Sequence, residues 1–177
     1  MEPSHVFDRV TDAEARERLS RCCGSTRWIG DMLARRPFQS RERLLAAARD
    51  VWFSLTPADW LEAFTHHPKI GDRESLRRRF GTSADLSEKE QAGLNGVSAD
   101  MLDTLADANE RYLEKFGYIF IVCATGRSAT EMLRLLRERL GNDPDTEIRI
   151  AAEEQAKITE LRLIGALEPS NPGTREP

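Results

Sequence analysis

Residues that cap helix N-termini recur at short intervals along this chain, and apolar side chains follow each of them at three- and four-residue spacing. A cap residue accepts hydrogen bonds from backbone N–H groups of the first helical turn, and the spacing places apolar side chains on one helix face. This pattern predicts an all-α fold, a bundle of about eight to nine helices. The predicted helix starts are Thr11 with Glu14, Ser25, Ser40, Thr56 followed by Pro57, Ser98, Ser128 with Glu131, and Thr146 with Asp145.

Glycine and proline mark the predicted helix ends. Gly24 follows a pair of cysteines and can take the left-handed conformation that terminates many helices. Pro37 stops the helix that starts at Ser25, because proline lacks the N–H that the next helical turn requires. Gly117 and Gly141 end two later helices.

One segment breaks the helical pattern. The run from Tyr118 to Ala124 is continuously apolar, is rich in β-branched and aromatic residues, and is too short for a helix of ordinary length. We predict a buried extended segment there. Its backbone groups have no sheet in which to form hydrogen bonds, so they need other partners. A bound ligand is one such partner.

The chain length of 177 residues fits one domain around one hydrophobic core. Apolar residues make up 40% and charged residues 32%, a balance typical of globular proteins. The predicted helical domain covers residues 1–167. The stretch Asn171–Pro177 carries two prolines, a glycine and charges without an apolar anchor, so residues 168–177 are predicted to form a disordered tail.

The charge distribution gives no general attraction to nucleic acid or membrane. The net charge is −4, and the one basic cluster, Arg77–Arg79, lies in a stretch where acids and bases alternate, as on a solvated helix face. No charged-then-apolar leader opens the sequence, and no apolar run approaches the ~18 residues that cross a bilayer. We therefore expect no nucleic-acid partner, no membrane contact and no secretion.

The cysteines favour a reducing compartment. They are Cys22, Cys23 and Cys123, an odd number that includes an adjacent pair, and adjacent cysteines do not easily bridge to each other. No disulfide framework is expected, and the cytoplasm is the predicted location.

His67 is the first candidate for a catalytic residue. It follows the helix that starts at Thr56, and Pro68 holds it in an extended conformation while Gly71 permits a tight turn. A histidine in a rigid corner suits general acid or base catalysis, because its ordinary pKa of about 6.5 lets it exchange protons at neutral pH. The alternative is a histidine that merely caps the helix.

A metal site is not expected. The other histidines are His66, whose side chain points away from that of its neighbour, and His5 near the N-terminus. The sequence contains no HExxH or CxxC motif with metal-ligand spacing.

Two further segments carry polar groups suited to a ligand. Ser87 and Glu90 form a capping-box pattern, but no long apolar-periodic helix follows them and Gln91 adds an amide. Such a cluster suits a polar heterocycle. Arg162 lies among core-facing residues of the last predicted helix, where it either extends to solvent or grips a carboxylate or imide-like edge.

Together these segments resemble the 2-oxo-4-hydroxy-4-carboxy-5-ureidoimidazoline (OHCU) decarboxylases, which complete the conversion of urate to (S)-allantoin. The resemblance runs from Phe7 to Leu163, and the ordered set of motifs is more specific than any one of them. The motifs are Cys22-Cys23-Gly24-Ser25, Arg36-Pro37-Phe38, Asp59-Trp60-Leu61-Glu62-Ala63-Phe64, His67-Pro68-Lys69-Ile70-Gly71, Ser87 to Gly93, Phe116-Gly117 through Phe120-Ile121-Val122-Cys123-Ala124, and Lys157 to Leu163.

The resemblance implies an all-helical homodimer that takes a small-molecule substrate and decarboxylates it without a metal or organic cofactor. It also implies that His67 is the catalytic residue and Glu90 its partner. The residues implied to hold the substrate are Pro68, Ser87, Gln91, Phe120, Ile121, Val122, Cys123 and Arg162.

Three departures from the family pattern affect the details. Leu86 replaces a tryptophan that often precedes the matching serine, and Lys69 stands where arginine is commoner. Neither change removes a reacting group. Tyr118-Ile119 replaces a glycine-phenylalanine-proline run, which concerns the loop geometry before the extended segment rather than the function.

Two other functions are compatible with a helical bundle. One is an adaptor that presents Arg77–Arg79, since bundles host many functions, but it leaves His67 and Glu90 unexplained. The other is a decarboxylase of a related ureido acid, because a few side-chain contacts decide specificity.

Overall fold

The protein is predominantly helical in the part that a computed structural model describes, residues 5–67 and 98–168. Eight helices and no strand lie in these two ranges, so the predicted all-α fold is confirmed. The helices are α1 His5–Asp8, α2 Asp12–Cys22, α3 Thr26–Ala34, α4 Arg41–Ser54, α5 Pro57–Thr65, α6 Ala99–Phe116, α7 Ala129–Leu140 and α8 Pro144–Leu167.

Two compact units divide the described residues. The first comprises the residues up to His66 together with those from Glu153 onward, and the second runs from His67 to Ala152. Helix α8 contributes to both units, because the boundary falls inside it. The single domain 1–167 remains a prediction, as does the C-terminal tail, of which Glu168 alone lies within the described residues.

Most of the predicted helix starts are confirmed by their hydrogen bonds. Thr11 and Ser128 each form a capping box with the glutamate three residues later. Ser25, Ser40 and Ser98 each accept a hydrogen bond from the third backbone N–H of their helices. These bonds satisfy donors that the first helical turn leaves unpaired, which is why short polar residues recur at these positions.

The predicted cap of the last helix, Thr146, was wrong by three residues. Helix α8 begins at Pro144, and the capping residue is Asp143, whose carboxylate accepts from the backbone N–H of Thr146 at 2.9 Å and from its hydroxyl at 2.6 Å. Thr146 is therefore the residue that the cap binds, not the cap. Proline at the first helical position loses no hydrogen bond, because that N–H has no partner within a helix.

Gly24 has a different role from the one predicted. Helix α2 ends at Cys22, and its cap residue, Cys23, is extended with φ −146°, so no left-handed glycine terminates it. Gly24 instead lies against His66, which caps the C-terminus of α5. A Cβ at Gly24 would lie 2.4 Å from Cγ and 2.6 Å from Cβ of His66, closer than atoms can approach. The glycine is needed for this contact.

The other predicted helix ends agree with the structure. Gly117 ends α6 in the left-handed conformation, with φ 78°, and donates its N–H to the carbonyl of Leu113 at 2.8 Å. Gly141 ends α7. Helix α3 ends at Ala34, before Pro37.

Helix α3 is central to the first unit, where it packs against α2, α4 and α5. Its Trp28 is fully buried and donates its indole N–H to the carbonyl of Ala48 at 3.1 Å, so the polar edge of a large apolar side chain is satisfied inside the core. Trp60 makes a similar bond, at 3.0 Å, to the carbonyl of Trp52. The unit's other fully buried large side chains include Phe7, Leu19, Met32, Leu44 and Phe64.

The second unit is built on the pair α6 and α7, which pack against each other. Leu105 and Tyr112 of α6 and Met132 and Leu136 of α7 are at most 2% exposed. None of the helices in the described ranges combines the length and apolar character that a membrane span requires.

The contact between Gly24 and His66 predicts unequal effects of two glycine substitutions. Gly24→Ala should lower the free energy of unfolding by about 1–3 kcal/mol, because the clash involves the base of the His66 side chain, which cannot move without its helix. Gly30→Ala, inside α3 with nothing within 4 Å of the added carbon, should be neutral or stabilise the protein by up to about 1 kcal/mol. Urea unfolding followed by circular dichroism measures both. Equal stability of the two variants would contradict this account of Gly24.

Candidate functional site

His67 lies one residue beyond the cap of α5. The cap position is occupied by His66, whose backbone N–H donates to the carbonyl of Ala63 at 3.2 Å. His67 is half-buried and non-helical, as predicted.

Four of the candidate residues lie outside the described ranges. They are Pro68, Ser87, Glu90 and Gln91, together with the family departures at Lys69 and Leu86 and the basic cluster Arg77–Arg79. Their roles remain predictions.

Arg162 projects from α8 in the first unit and is bound to the end of another helix. Its Nη1 donates to the carbonyl of Cys22, the last residue of α2, at 3.3 Å. A positive charge is favourable there, because unpaired carbonyl groups make a helix C-terminus partially negative. Within the described part of the chain no carboxylate forms an ion pair with Arg162, so its remaining N–H groups are able to bind an anionic or carbonyl ligand.

The turn between α2 and α3, residues 22–26, is fixed by side chains from other helices of the same unit. Glu62 accepts hydrogen bonds from the backbone N–H of Thr26 at 3.0 Å and from its hydroxyl at 2.6 Å. Ser25 is fully buried and caps α3, and Arg162 binds the carbonyl of Cys22. This turn therefore holds both Arg162 and, through Gly24, the end of the helix that leads to His67.

The two cysteines of this turn are poor nucleophiles. Burial raises the pKa of Cys22 and of Cys23 to about 11, since the thiolate would lose its hydration, and the Cys23 thiol is also in hydrogen-bond contact with Thr159. At neutral pH both thiols are protonated, and a protonated thiol is neither a good nucleophile nor a metal ligand.

Residues 118–124 form the non-helical, largely buried segment that the sequence predicted. Phe120, Ile121 and Val122 are 6%, 2% and 7% exposed, and Cys123 is half-buried. The carbonyl of Ile121 accepts from Arg139 Nη1 at 2.7 Å. The carbonyl of Cys123 accepts from Arg127 Nε at 3.0 Å. Arginine side chains thus replace the backbone partners that a sheet would supply.

Two residues of this segment keep polar backbone groups for another partner. In the described ranges the backbone N–H and carbonyl groups of Phe120 and Val122 have no hydrogen-bond partner, although both residues are buried. Buried backbone groups are normally paired, so such groups are suited to a bound ligand or to water.

Arg139 and Glu147 form a buried ion pair that was not predicted from the sequence. The distance from Arg139 Nη2 to Glu147 Oε1 is 2.6 Å, and the two side chains are 8% and 0% exposed. A signal was present: Arg139 continues, at three-residue spacing, the buried stripe that includes Met132 and Leu136. It was missed because charged residues are expected on the surface.

Burial also raises the pKa values of the two tyrosines around this ion pair. Tyr112 is fully buried and donates its hydroxyl hydrogen to Glu147, and desolvation raises its pKa far above the ordinary value. Desolvation likewise raises the pKa of Tyr118. The ring of Tyr112 packs edge-on against Phe120, with centroids 5.2 Å apart. Both tyrosines are therefore neutral at physiological pH.

The structure places the described candidates in both units. His67 and the segment Phe120 to Cys123 belong to the second unit, and Arg162 belongs to the first. Among the described residues no three His, Cys, Asp or Glu side chains group as metal ligands do.

The family model for OHCU decarboxylase matches residues 8–164 of this chain. The chain is 43% identical, over 143 residues, to the uric acid degradation bifunctional protein TTL of Arabidopsis thaliana; the match covers 80% of this chain but 44% of the plant protein. It is 36% identical over 128 residues to the 2-oxo-4-hydroxy-4-carboxy-5-ureidoimidazoline decarboxylase of Amia calva, covering 72% of this chain and 73% of that protein. The chain thus spans less than half of the plant protein and most of the fish protein.

A solved structure shows similarity to the same family. The crystal structure of an OHCU decarboxylase in the presence of (S)-allantoin matches with a TM-score of 0.70 and 38% identity. The match covers 89% of this chain and 99% of that one.

The raised thiol pKa values predict selective cysteine modification. Iodoacetamide at pH 7.5 should alkylate Cys123 first, because Cys22 and Cys23 are buried and their thiolate fractions stay small until the pH approaches 11. Peptide mass spectrometry of native and urea-unfolded protein reads the three sites separately. Alkylation of Cys22 or Cys23 as fast as Cys123 in the native protein would contradict the burial of this turn.

Proposed function

This chain belongs to the OHCU decarboxylase family, and we propose that it converts 2-oxo-4-hydroxy-4-carboxy-5-ureidoimidazoline to (S)-allantoin and CO₂. The observation that carries the proposal is the match to an OHCU decarboxylase crystallised in the presence of (S)-allantoin, at 38% identity over 99% of that chain. This reaction is the last step from urate to allantoin, and the family is enzymatic. The helical-adaptor alternative has no comparable support.

The substrate itself makes the chemistry accessible. Its departing carboxylate is attached to a ring carbon that also bears a hydroxyl and lies next to a C=N bond. The ring can accept the electron pair that the C–C bond leaves when CO₂ departs, so the protein has to orient the substrate and manage protons. We accordingly propose that no metal or organic cofactor takes part.

His67 is the proposed acid–base residue, with Glu90 as its partner. Glu90 would fix the tautomer and orientation of the imidazole, and His67 would handle the substrate hydroxyl and then deliver a proton to one face of the resulting carbanion. The position of His67 supports this role: it is half-buried and non-helical, and it lies just beyond the end of α5. Delivery to one face would produce one enantiomer.

The remaining candidates are proposed to bind the substrate. Arg162 and Gln91 would hold the ring or ureido oxygens, and Pro68 and Ser87 would line the site. The backbone of Phe120, Ile121, Val122 and Cys123 would contact the edges of the ring, as the buried and partly unpaired segment favours. The Arg162 guanidinium, held by one carbonyl and carrying further donors, supports its assignment.

Two finer properties are part of the same proposal. We propose that the protein works as a homodimer and in the cytoplasm, as the family resemblance and the three unbridged cysteines suggest. A related ureido acid remains the alternative substrate, because few contacts distinguish such molecules.

The function is tested by following the decay of the unstable substrate. Urate oxidase and the hydrolase that follows it generate the substrate from urate in situ, and optical activity identifies the allantoin enantiomer. The wild-type chain should accelerate decay and give (S)-allantoin. His67→Ala should lower kcat by about 10²- to 10⁴-fold, the usual contribution of general acid–base catalysis.

His66→Ala is the matched control for this experiment. It removes the neighbouring imidazole, which packs on Gly24, and should retain most of the rate while losing some stability. Unchanged decay and racemic product with the wild-type chain would reject the proposed substrate and direct attention to other ureido acids. Equal loss of rate in both variants would reject the assignment of His67.

Arg162→Gln should raise KM by about tenfold or more with a small effect on unfolding, because it removes charge-assisted hydrogen bonds to the substrate from an exposed side chain. Arg149→Gln is the control: it is the same substitution at another exposed arginine of α8. Steady-state kinetics of both variants in the same assay gives the comparison. A KM for Arg162→Gln equal to that of the control would contradict its role in binding.

A further inference from the structure

The guanidinium of Arg139 connects a buried carboxylate to the backbone of the non-helical segment. Its Nε donates to Oε1 of Glu147 at 2.7 Å and its Nη2 lies 2.6 Å from the same oxygen, while its Nη1 donates to the carbonyl of Ile121 at 2.7 Å. The guanidinium carbon also lies 4.5 Å from the centre of the Phe120 ring. One rigid, planar group thus fixes both a carbonyl and a ring of the segment.

Glu147 is itself held from three sides. Besides Arg139, it accepts the hydroxyl hydrogen of Tyr112 and, at Oε2, a hydrogen bond from Asn142 Nδ2 at 2.8 Å. Arg139 Nη2 also donates to the Tyr112 hydroxyl at 3.3 Å. Since the carboxylate is immobilised, the arginine that pairs with it has a fixed position.

A buried ion pair of this kind is not needed for stability alone. Removing two charges from water costs about as much free energy as their attraction returns, and apolar side chains of similar volume often serve the fold equally well. An apolar side chain at position 139 could fill the space and contact Phe120. It could not hold the carbonyl of Ile121, which is the function that requires arginine.

The hydrogen bond to Ile121 determines what the segment offers to a ligand. With that carbonyl bound to Arg139 and the Cys123 carbonyl bound to Arg127, the backbone groups of Phe120 and Val122 remain unpaired within the described ranges. Rotation of the Ile121 peptide would change which N–H and carbonyl groups face the same side.

We propose that Arg139 is a positioning residue for the decarboxylase reaction. It sets the peptide orientation of residues 120–123, and so selects the backbone groups that contact the substrate, without touching the substrate itself. This proposal rests on the proposed function, because it assumes that the segment binds the substrate.

The test compares two variants that disturb the same carboxylate. Arg139→Lys keeps a positive charge beside Glu147 but lacks the planar group that reaches two acceptors at once. Tyr112→Phe removes a donor to Glu147 and leaves the contact of Arg139 with Ile121 in place. Both should unfold at lower temperature than the wild type. KM should rise at least about fivefold in Arg139→Lys, with kcat less affected, and stay near the wild-type value in Tyr112→Phe.

A third variant leaves no unpaired charge in the core that could by itself destabilise the fold. Combining Arg139→Met, Glu147→Leu and Tyr112→Phe replaces the polar cluster by apolar side chains of similar volume, which should fold. Its KM should rise as in Arg139→Lys, because the Ile121 carbonyl has lost its partner. A wild-type KM in this folded variant would overturn the proposal, as would equal KM values for Arg139→Lys and Tyr112→Phe.

Amide chemical shifts separate this proposal from the proposed function. The ¹H–¹⁵N resonances of Ile121, Val122 and Cys123 should move in Arg139→Lys and remain near their wild-type positions in Tyr112→Phe, whether or not the substrate has been identified correctly. Failure of the wild-type chain to accelerate substrate decay would reject the function alone. Unmoved resonances in Arg139→Lys would reject the positioning role alone.

Discussion

The charge of Glu147 has to be satisfied inside the protein, and three side chains of the second unit meet that requirement. A fully buried carboxylate is stable as an anion only when cations and hydrogen-bond donors replace its lost hydration. Arg139, Tyr112 and Asn142 provide these groups from α7, α6 and the turn before α8. The same arginine then extends to Ile121, so the position of the non-helical segment depends on how the charge is neutralised.

In the first unit, a turn of five residues has a structural role comparable to that of the Glu147 cluster in the second. Residues 22–26 contain a buried helix cap, two protonated thiols and a glycine. Because Gly24 has no side chain, it can lie close to His66. Glu62 and Arg162 bind the two ends of the turn from α5 and α8. The proposed acid–base residue follows α5 directly and the proposed anion-binding arginine lies on α8. The turn is therefore held by packing and by hydrogen bonds from two charged side chains, not by a buried ion pair.

The helices could be predicted well because their starts depend on local chemistry. Thr11, Ser25 and Ser128 cap helices through bonds that span three residues, so both partners lie within one short stretch of sequence. The predicted reason for a glycine at position 24, a left-handed helix end, was wrong. The side chain that excludes a Cβ there belongs to His66, 42 residues later in the chain. Thr146 was mistaken for a cap because Asp143, Asp145 and Thr146 are all suitable cap residues and Pro144 decides among them.

The sequence by itself determined the all-α class, the bounds of most helices, the buried non-helical run near 118–124 and the ordered motifs that identify the family. These features depend on hydrogen bonds within a few residues, on the period of apolar side chains, and on residue order. Only the tertiary structure decided that Arg139 and Glu147 are buried together and that Gly24 supports His66. Both depend on contacts between segments distant in the chain, and nothing in the local sequence distinguishes a charge that meets a partner in the core from one that faces water.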